Sequence, residues 1–197
     1  MKVNQKGIRG IAMRVVCLMA ILVSLVLAVG CETTPKNKKD KEALDASVAA
    51  SIKEMSEKDP RVAQFMESAY GYVCFPTVSY GGLIAAAGSG QGEVYVQGDL
   101  VGYARIFQAS VGGNVGGRWY SELIFFKDQK AFQDFKDGDL KFQAHAAAVA
   151  VTAGGGTQAD YQKGVAVFTH DKFGLSAQAS IGGQEFKFEP AKPIPDA

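Results

Sequence analysis

The first thirty residues open with Lys2, Lys6, Arg9 and Arg14 and no acid, continue through the apolar run Val15 to Val29, in which Ser24 is the one hydroxyl residue, and leave it at Gly30-Cys31. A charged start, a greasy middle and a small-residue exit predict a signal peptide over 1–30, the apolar run being shorter than the roughly 20 residues of a permanent spanning helix. Polar and charged residues with one proline fill 31–42, which predicts a flexible tether. From Asp40 the apolar positions Leu44, Val48, Ile52 and Met55 fall on one helical face. Asp59-Pro60 interrupts that stripe and starts a second helix, Asp59 as N-cap and Pro60 in the first turn, with Val62, Phe65, Met66 and Ala69 inward and Gly71 as the stop.

Beyond Gly71 the period changes. Twelve of the 23 glycines lie between Gly71 and Gly117, interleaved with Val, Tyr, Phe and Ile, and runs such as "EVYVQ" and "YARIFQASV" predict short antiparallel strands. The stretch "AAGSGQGEVY" sets Gly88, Gly90 and Gly92 at alternate positions, so an extended chain has one nearly bare face that another backbone can approach closely. A third helix is predicted over 127–135, with Asp128 near its start, Ala131, Phe132 and Phe135 inward and Gly138 past its end. In 141–156 alanine favours helix while Val149 and Val151 alternate as in a strand, and strand is the reading taken. "GVAVFTHDKFGLSAQASIGG" predicts a hairpin with its loop at His170 to Gly174, and 190–197 an irregular tail. The sum is an α+β protein of one domain, spanning 43–189.

Composition then narrows the function. At 47% apolar and 21% charged, the 197-residue chain buries one real core. Loss of the signal leaves 17 basic residues against 20 acidic, a net charge of −3, which disfavours nucleic acid as a partner. Of the three cysteines Cys17 leaves with the signal, and Cys74, among aromatic and apolar neighbours, reads as a small buried hydrophobe.

The exit Leu27-Ala28-Val29-Gly30-Cys31 resembles the bacterial lipobox, with Ala28 where leucine is usual. That resemblance makes Cys31 the lipidated, palmitate-bearing first residue of the mature protein. Glu32 in place of aspartate implies, by similarity to bacterial sorting, an outer-membrane lipoprotein whose domain faces the periplasm. Lys38, Lys39 and Lys41 in the tether are candidates to meet anionic headgroups.

Four segments together resemble the SYLF lipid-binding domain in its bacterial lipoprotein form. They are "GYVCFPTVSYGG", "GSGQGEVYV", "GGNVGGRWYSELIFFKDQKAFQDF" and "GVAVFTHDKFGLSAQASIGG", in an order and spacing that cover roughly 45–185. The resemblance implies helices packed on an antiparallel, barrel-like sheet, and phospholipid binding. Arg105 and Arg118, with Trp119 and Tyr120 at the headgroup boundary, are the candidate contacts within the domain.

Catalytic chemistry is thinly supplied. His145 and His170 lack metal-ligand spacing partners, and no G-x-S-x-G is present. Cys74 paired with either histidine is conceivable by residue type alone. The chain therefore reads as a non-catalytic phospholipid-binding lipoprotein without cofactor or metal. Two other classes stay open: a structural envelope lipoprotein that binds a protein partner through its sheet, and a hydrolase with an unfamiliar constellation.

Overall fold

The computed structural model describes residues 33–139, 142–143 and 161–192, with backbone alone at 113–115, 142–143 and 173–182. The signal, Cys31, His145 and most of the strand expected over 141–156 lie outside the described residues. In chain order the elements are α1 (Lys38–Lys58), α2 (Pro60–Ser68), β1 (Gly71–Gly82), β2 (Ala85–Val96), β3 (Asp99–Phe126), α3 (Gln129–Lys136), β4 (Phe142–Gln143) and β5 (Val165–Pro190).

All ladders are antiparallel, in the order β1-β2-β3-β5-β4, with β1 also paired to β3. The first half of β3 pairs with β2 and the second half with β1. Because β1 and β2 are themselves antiparallel, β3 must double back around 112–116, where Gly112 and Gly116 take φ of 141° and 107° that side-chain-bearing residues rarely adopt. β5 follows β3 through this turn along its whole length, from Val165 opposite Phe126 to Pro190 opposite Gly102. Counting the halves of β3 and β5 separately gives six long strands besides the two-residue β4, coiled strongly but not closed: no ladder joins the two halves of β5 among the described residues.

The enclosed face of the coil carries Val73, Phe75, Ile106, Ile124 and Phe126, plugged at one end by Phe132 and Phe135 of α3. The outer face offers Cys74, Leu123, Phe125 and Phe168 to Val48, Met55 and Val62 of α1 and α2. Phe65 of α2 packs its ring 5.4 Å from both Phe125 and Phe168. Pro76, which has no N–H for a ladder, marks the place where β1 slips register against both neighbours. Its buried carbonyl accepts from Ser121 Oγ at 3.0 Å, which joins the slip to the second half of β3.

The second and third helices begin where their caps predict. Asp59 Oδ1 accepts from Arg61 N at 3.0 Å and Asp128 Oδ1 from Ala131 N at 2.9 Å. α1 begins earlier than its apolar stripe, because Asn37 Oδ1 caps it by accepting from Asp40 N at 2.9 Å. The span expected as tether is thereby corrected: helix starts at Lys38, and Thr33 and Pro35 are buried. The hairpin expected over 164–183 is corrected too. His170 to Gly174 lies inside β5, and the polar cluster is accommodated by one register shift opposite Trp119 and Tyr120 instead of a reversal. Strand β5 also runs to Pro190, into the span expected as irregular tail.

Candidate functional site

The turn joining β1 to β2 is Leu83-Ile84, and it stands beside the doubling-back of β3, where Ile84 O accepts from Gly112 N at 2.8 Å. Apolar side chains at this end face water. Leu83 is 69% exposed, Ile84 79% and Val111 70%, in a protein whose other large apolar side chains are mostly buried. Four positions below Val111 along the ladder, Trp119, Ser79, Ser89, Phe107 and Glu185 are successive partners across four ladders. Trp119 and Phe107 remain exposed there.

Behind this surface the enclosed face changes from apolar to polar. Tyr80 and Ser110 hydroxyls bond to each other, Tyr120 Oη donates to Gln108 Oε1 at 2.6 Å, and Gln184 Nε2 donates to Glu122 Oε2 at 3.0 Å. Arg118 lays its guanidinium over the ring of Tyr120 at 4.5 Å and reaches Asp171 at 3.6 Å. Glu122 Oε1 is buried without a hydrogen-bond partner among the described residues. Burial raises the Glu122 carboxyl to about 7, so it is half-protonated near neutrality.

Of the residues singled out in the sequence, Arg105, Arg118 and Trp119 come to the lower rim of the apolar end. Arg105 sits 6.0 Å from the Phe107 ring centre. Tyr120 does not join them: it is 1% exposed and spends its hydroxyl inside the sheet, because its neighbour Trp119 takes the outward face. Lys38 and Lys39 are exposed in the first turn of α1. Lys41 is turned inward instead, with Nζ 2.6 Å from Asp45 Oδ2. Asp45 faces Glu93, which accepts from Tyr95 Oη at 2.7 Å. Burial and the carboxyl contact with Asp45 raise Glu93, while hydrogen bonds from Glu93 and Lys41 outweigh burial and hold Asp45 low. The pair thus holds one proton between α1 and β2.

His170 lies in β5, with Nε2 3.1 Å from Glu54 Oε1 and 2.7 Å from Lys58 Nζ, an ion cluster that ties α1 to the sheet. Cys74 is buried, and burial pushes its thiol up to about 12, far from thiolate chemistry at neutral pH. Among the described residues no three His, Cys, Asp or Glu side chains gather as a metal site requires, and no helix is long and apolar enough to cross a membrane.

Sequence reasoning missed Leu83, Ile84, Phe107 and Val111. The signal available was an absence: 77–92, 106–117 and 173–184 contain no Asp, Glu, Lys or Arg. The ladders bring these three stretches to one end of the sheet.

No protein-family model matches the chain. Over 154 residues, 77% of its length, the chain is 23% identical to Beta cell expansion factor A of Aeromonas veronii. The match spans 59% of that relative, so the chain corresponds to about three fifths of it.

Proposed function

We propose that this protein is a non-catalytic, phospholipid-binding envelope lipoprotein, held to the outer membrane by acylated Cys31 with its folded part on the periplasmic side. The SYLF-like reading supplies the family, and the coiled sheet is its barrel-like element. The observation that carries the reading is the charge-free end of that sheet, where Leu83, Ile84 and Val111 project into water above an exposed Trp119 and Phe107.

Magnitudes favour a membrane as the occupant. Moving each of the three aliphatic side chains out of water contributes about 2 kcal/mol, about 6 kcal/mol together. A single acyl chain binds a bilayer about as strongly, marginally and reversibly. A contact of that strength suits a domain already held at the membrane by its own anchor. Arg105 sits two residues below Phe107 on β3, and Lys172 falls in the register shift of β5 beside Trp119, where they can meet anionic headgroups.

Flotation with phospholipid vesicles tests this on the unacylated mature chain beginning at Glu32. The chain is expected to float, and Leu83→Asp with Ile84→Asp is expected to lower the bound fraction at least ten-fold while leaving the far-ultraviolet spectrum unchanged. Binding that survives the double substitution, or a parent chain that binds no vesicle of any composition, overturns the reading. A protein partner captured by the same turn in the absence of lipid affinity would favour the structural alternative.

A further inference from the structure

The height of the charge-free end and the place where the chain enters the fold bear on which membrane is met. The Trp119–Ser79–Ser89–Phe107 row forms a boundary. On its far side the outward positions Leu83, Ile84, Ala85, Ala87, Ala109 and Val111 are all exposed and all apolar. Arg118, one row beyond the boundary, is the charged residue nearest the tip among the described ones, and its guanidinium is folded over Tyr120 and 5.9 Å from the Tyr80 ring centre. Charged residues resume on the boundary row itself with exposed Glu185, the partner of Phe107, and below it with Arg105, Asp171 and Lys187.

From Ser79 to Gly82, where β1 ends, is three residues, about 10 Å of strand, and the Leu83-Ile84 turn stands beyond it. Half the hydrocarbon core of a bilayer is about 15 Å, so the layer reaches well into one leaflet without crossing it. Exposed Trp119 at the bottom of a layer whose outward side chains are apolar suits the interfacial level of a leaflet. Inside the layer the backbones of β1, β2 and β3 are paired in ladders on both sides, and the tip carbonyl of Ile84 is met by Gly112 N, as a hydrocarbon environment favours; the outer edge of β5 has ladder partners only at 183–184 among the described residues.

The chain enters at the same level. Thr33 is fully buried, its carbonyl accepts from Gln91 Nε2 at 2.5 Å, and Gln91 is in register with Thr77, two residues below the boundary row. Thr34 Oγ1 also reaches Glu189 Oε2 at 3.4 Å. Only Glu32 stands between Cys31 and Thr33, and two residues of chain span about 7 Å at most.

We infer that the charge-free end is buried in the same leaflet that holds the acyl chains of Cys31, down to the Trp119–Phe107 row, rather than reaching for a second membrane. This rests on the lipid-binding, Cys31-anchored reading and adds its direction and depth. An anchor on so short a leash keeps its glyceryl group within about 7 Å of Thr33, near the level of the aromatic row, and that level coincides with the headgroups when the tip points into the same bilayer.

Depth-dependent quenching in vesicles carrying the full acylated mature protein tests it, with an environment-sensitive dye at Ile84→Cys and Trp119, the single tryptophan of the sequence, as a probe in the unsubstituted chain. The dye is expected to be quenched best by lipids labelled deep in the acyl chain and Trp119 by lipids labelled near the headgroup. Both should respond only when quencher lipid is in the vesicles that carry the protein. Quenching solely by an added second vesicle population, a dye that stays in water, or a disulfide forming between unlabelled Ile84→Cys copies overturns the inference. If the unacylated chain still floats in those cases, the phospholipid-binding reading stands and this orientation alone falls; if it does not float, both fall.

Discussion

Glu122 keeps a carboxyl where water does not reach it, with one oxygen bonded by Gln184 and the other unpartnered among the described residues. Its folded value of about 7 lies above the ordinary 4.5, so the folded state binds the proton more tightly than the unfolded chain. Its stabilising contribution is therefore complete below about pH 4.5 and is lost as pH rises through about 7, a change of about 3 kcal/mol at one such site. Glu93, raised by burial and by Asp45, acts in the same direction. Urea midpoints at pH 5 and pH 8 are expected to show the parent protein more stable at the lower pH, and Glu122→Gln to remove about half of that difference. A midpoint that rises toward pH 8, or an unchanged difference in the variant, would show that Glu122 does not titrate in the fold. None of this was legible in the sequence, where "WYSELIFF" reads as a strand with an ordinary glutamate. Tyr120 was misassigned on the same grounds, since residue type suggests an interfacial tyrosine and only register decides which of Trp119 and Tyr120 faces out.

Among the elements, the helices were readable because their signals are local: Asp59-Pro60 and Asp128 act within one turn of the residues they cap. The long strands were not. Glycines at 112, 113, 116 and 117 punctuate the sequence like a loop, yet β3 stays paired to β5 through them, and the polar "HDK" of β5 costs one register shift and no reversal. Pairing between residues far apart in sequence settled both cases, and no local pattern reports it. The alternating glycines of β2 were read more closely. A β-carbon at Gly90 would lie 2.7 Å from Thr77 O and 3.0 Å from Val78 Cγ2, inside the β1 strand itself. Gly90→Val is expected to lower the melting temperature by ten degrees or more, or to abolish soluble expression. Gly117→Ala, whose new carbon would come no nearer than 3.4 Å to Tyr80 O, should stay within about 1 kcal/mol of the parent. Equal tolerance at both positions would mean that β1 and β2 do not approach as described.

For the whole molecule the informative quantity is where charge is missing, since net charge alone is small. Several of the described lysines and arginines are held in local pairs, Lys41 with Asp45, Arg61 with Asp59, Lys130 with Asp134 and Lys187 with Glu189. With 17 basic residues against 20 acidic beyond residue 30, no positive surplus draws the domain toward an anionic surface. A polybasic contact contributes about 1 kcal/mol per lysine and fades as the screening length shrinks from about 10 Å at 0.1 M salt to about 3 Å at 1 M. Apolar burial has no such dependence on simple salt. Vesicle binding by the unacylated mature chain is thus expected to change less than about three-fold between about 0.05 M and 0.5 M sodium chloride. Replacing Lys38, Lys39 and Lys41 with glutamine should leave it near the parent value, since Lys41 is engaged with Asp45 and the exposed apolar turn carries the contact. A ten-fold fall in either measurement would assign the membrane contact to the lysines and leave the exposed turn without that role.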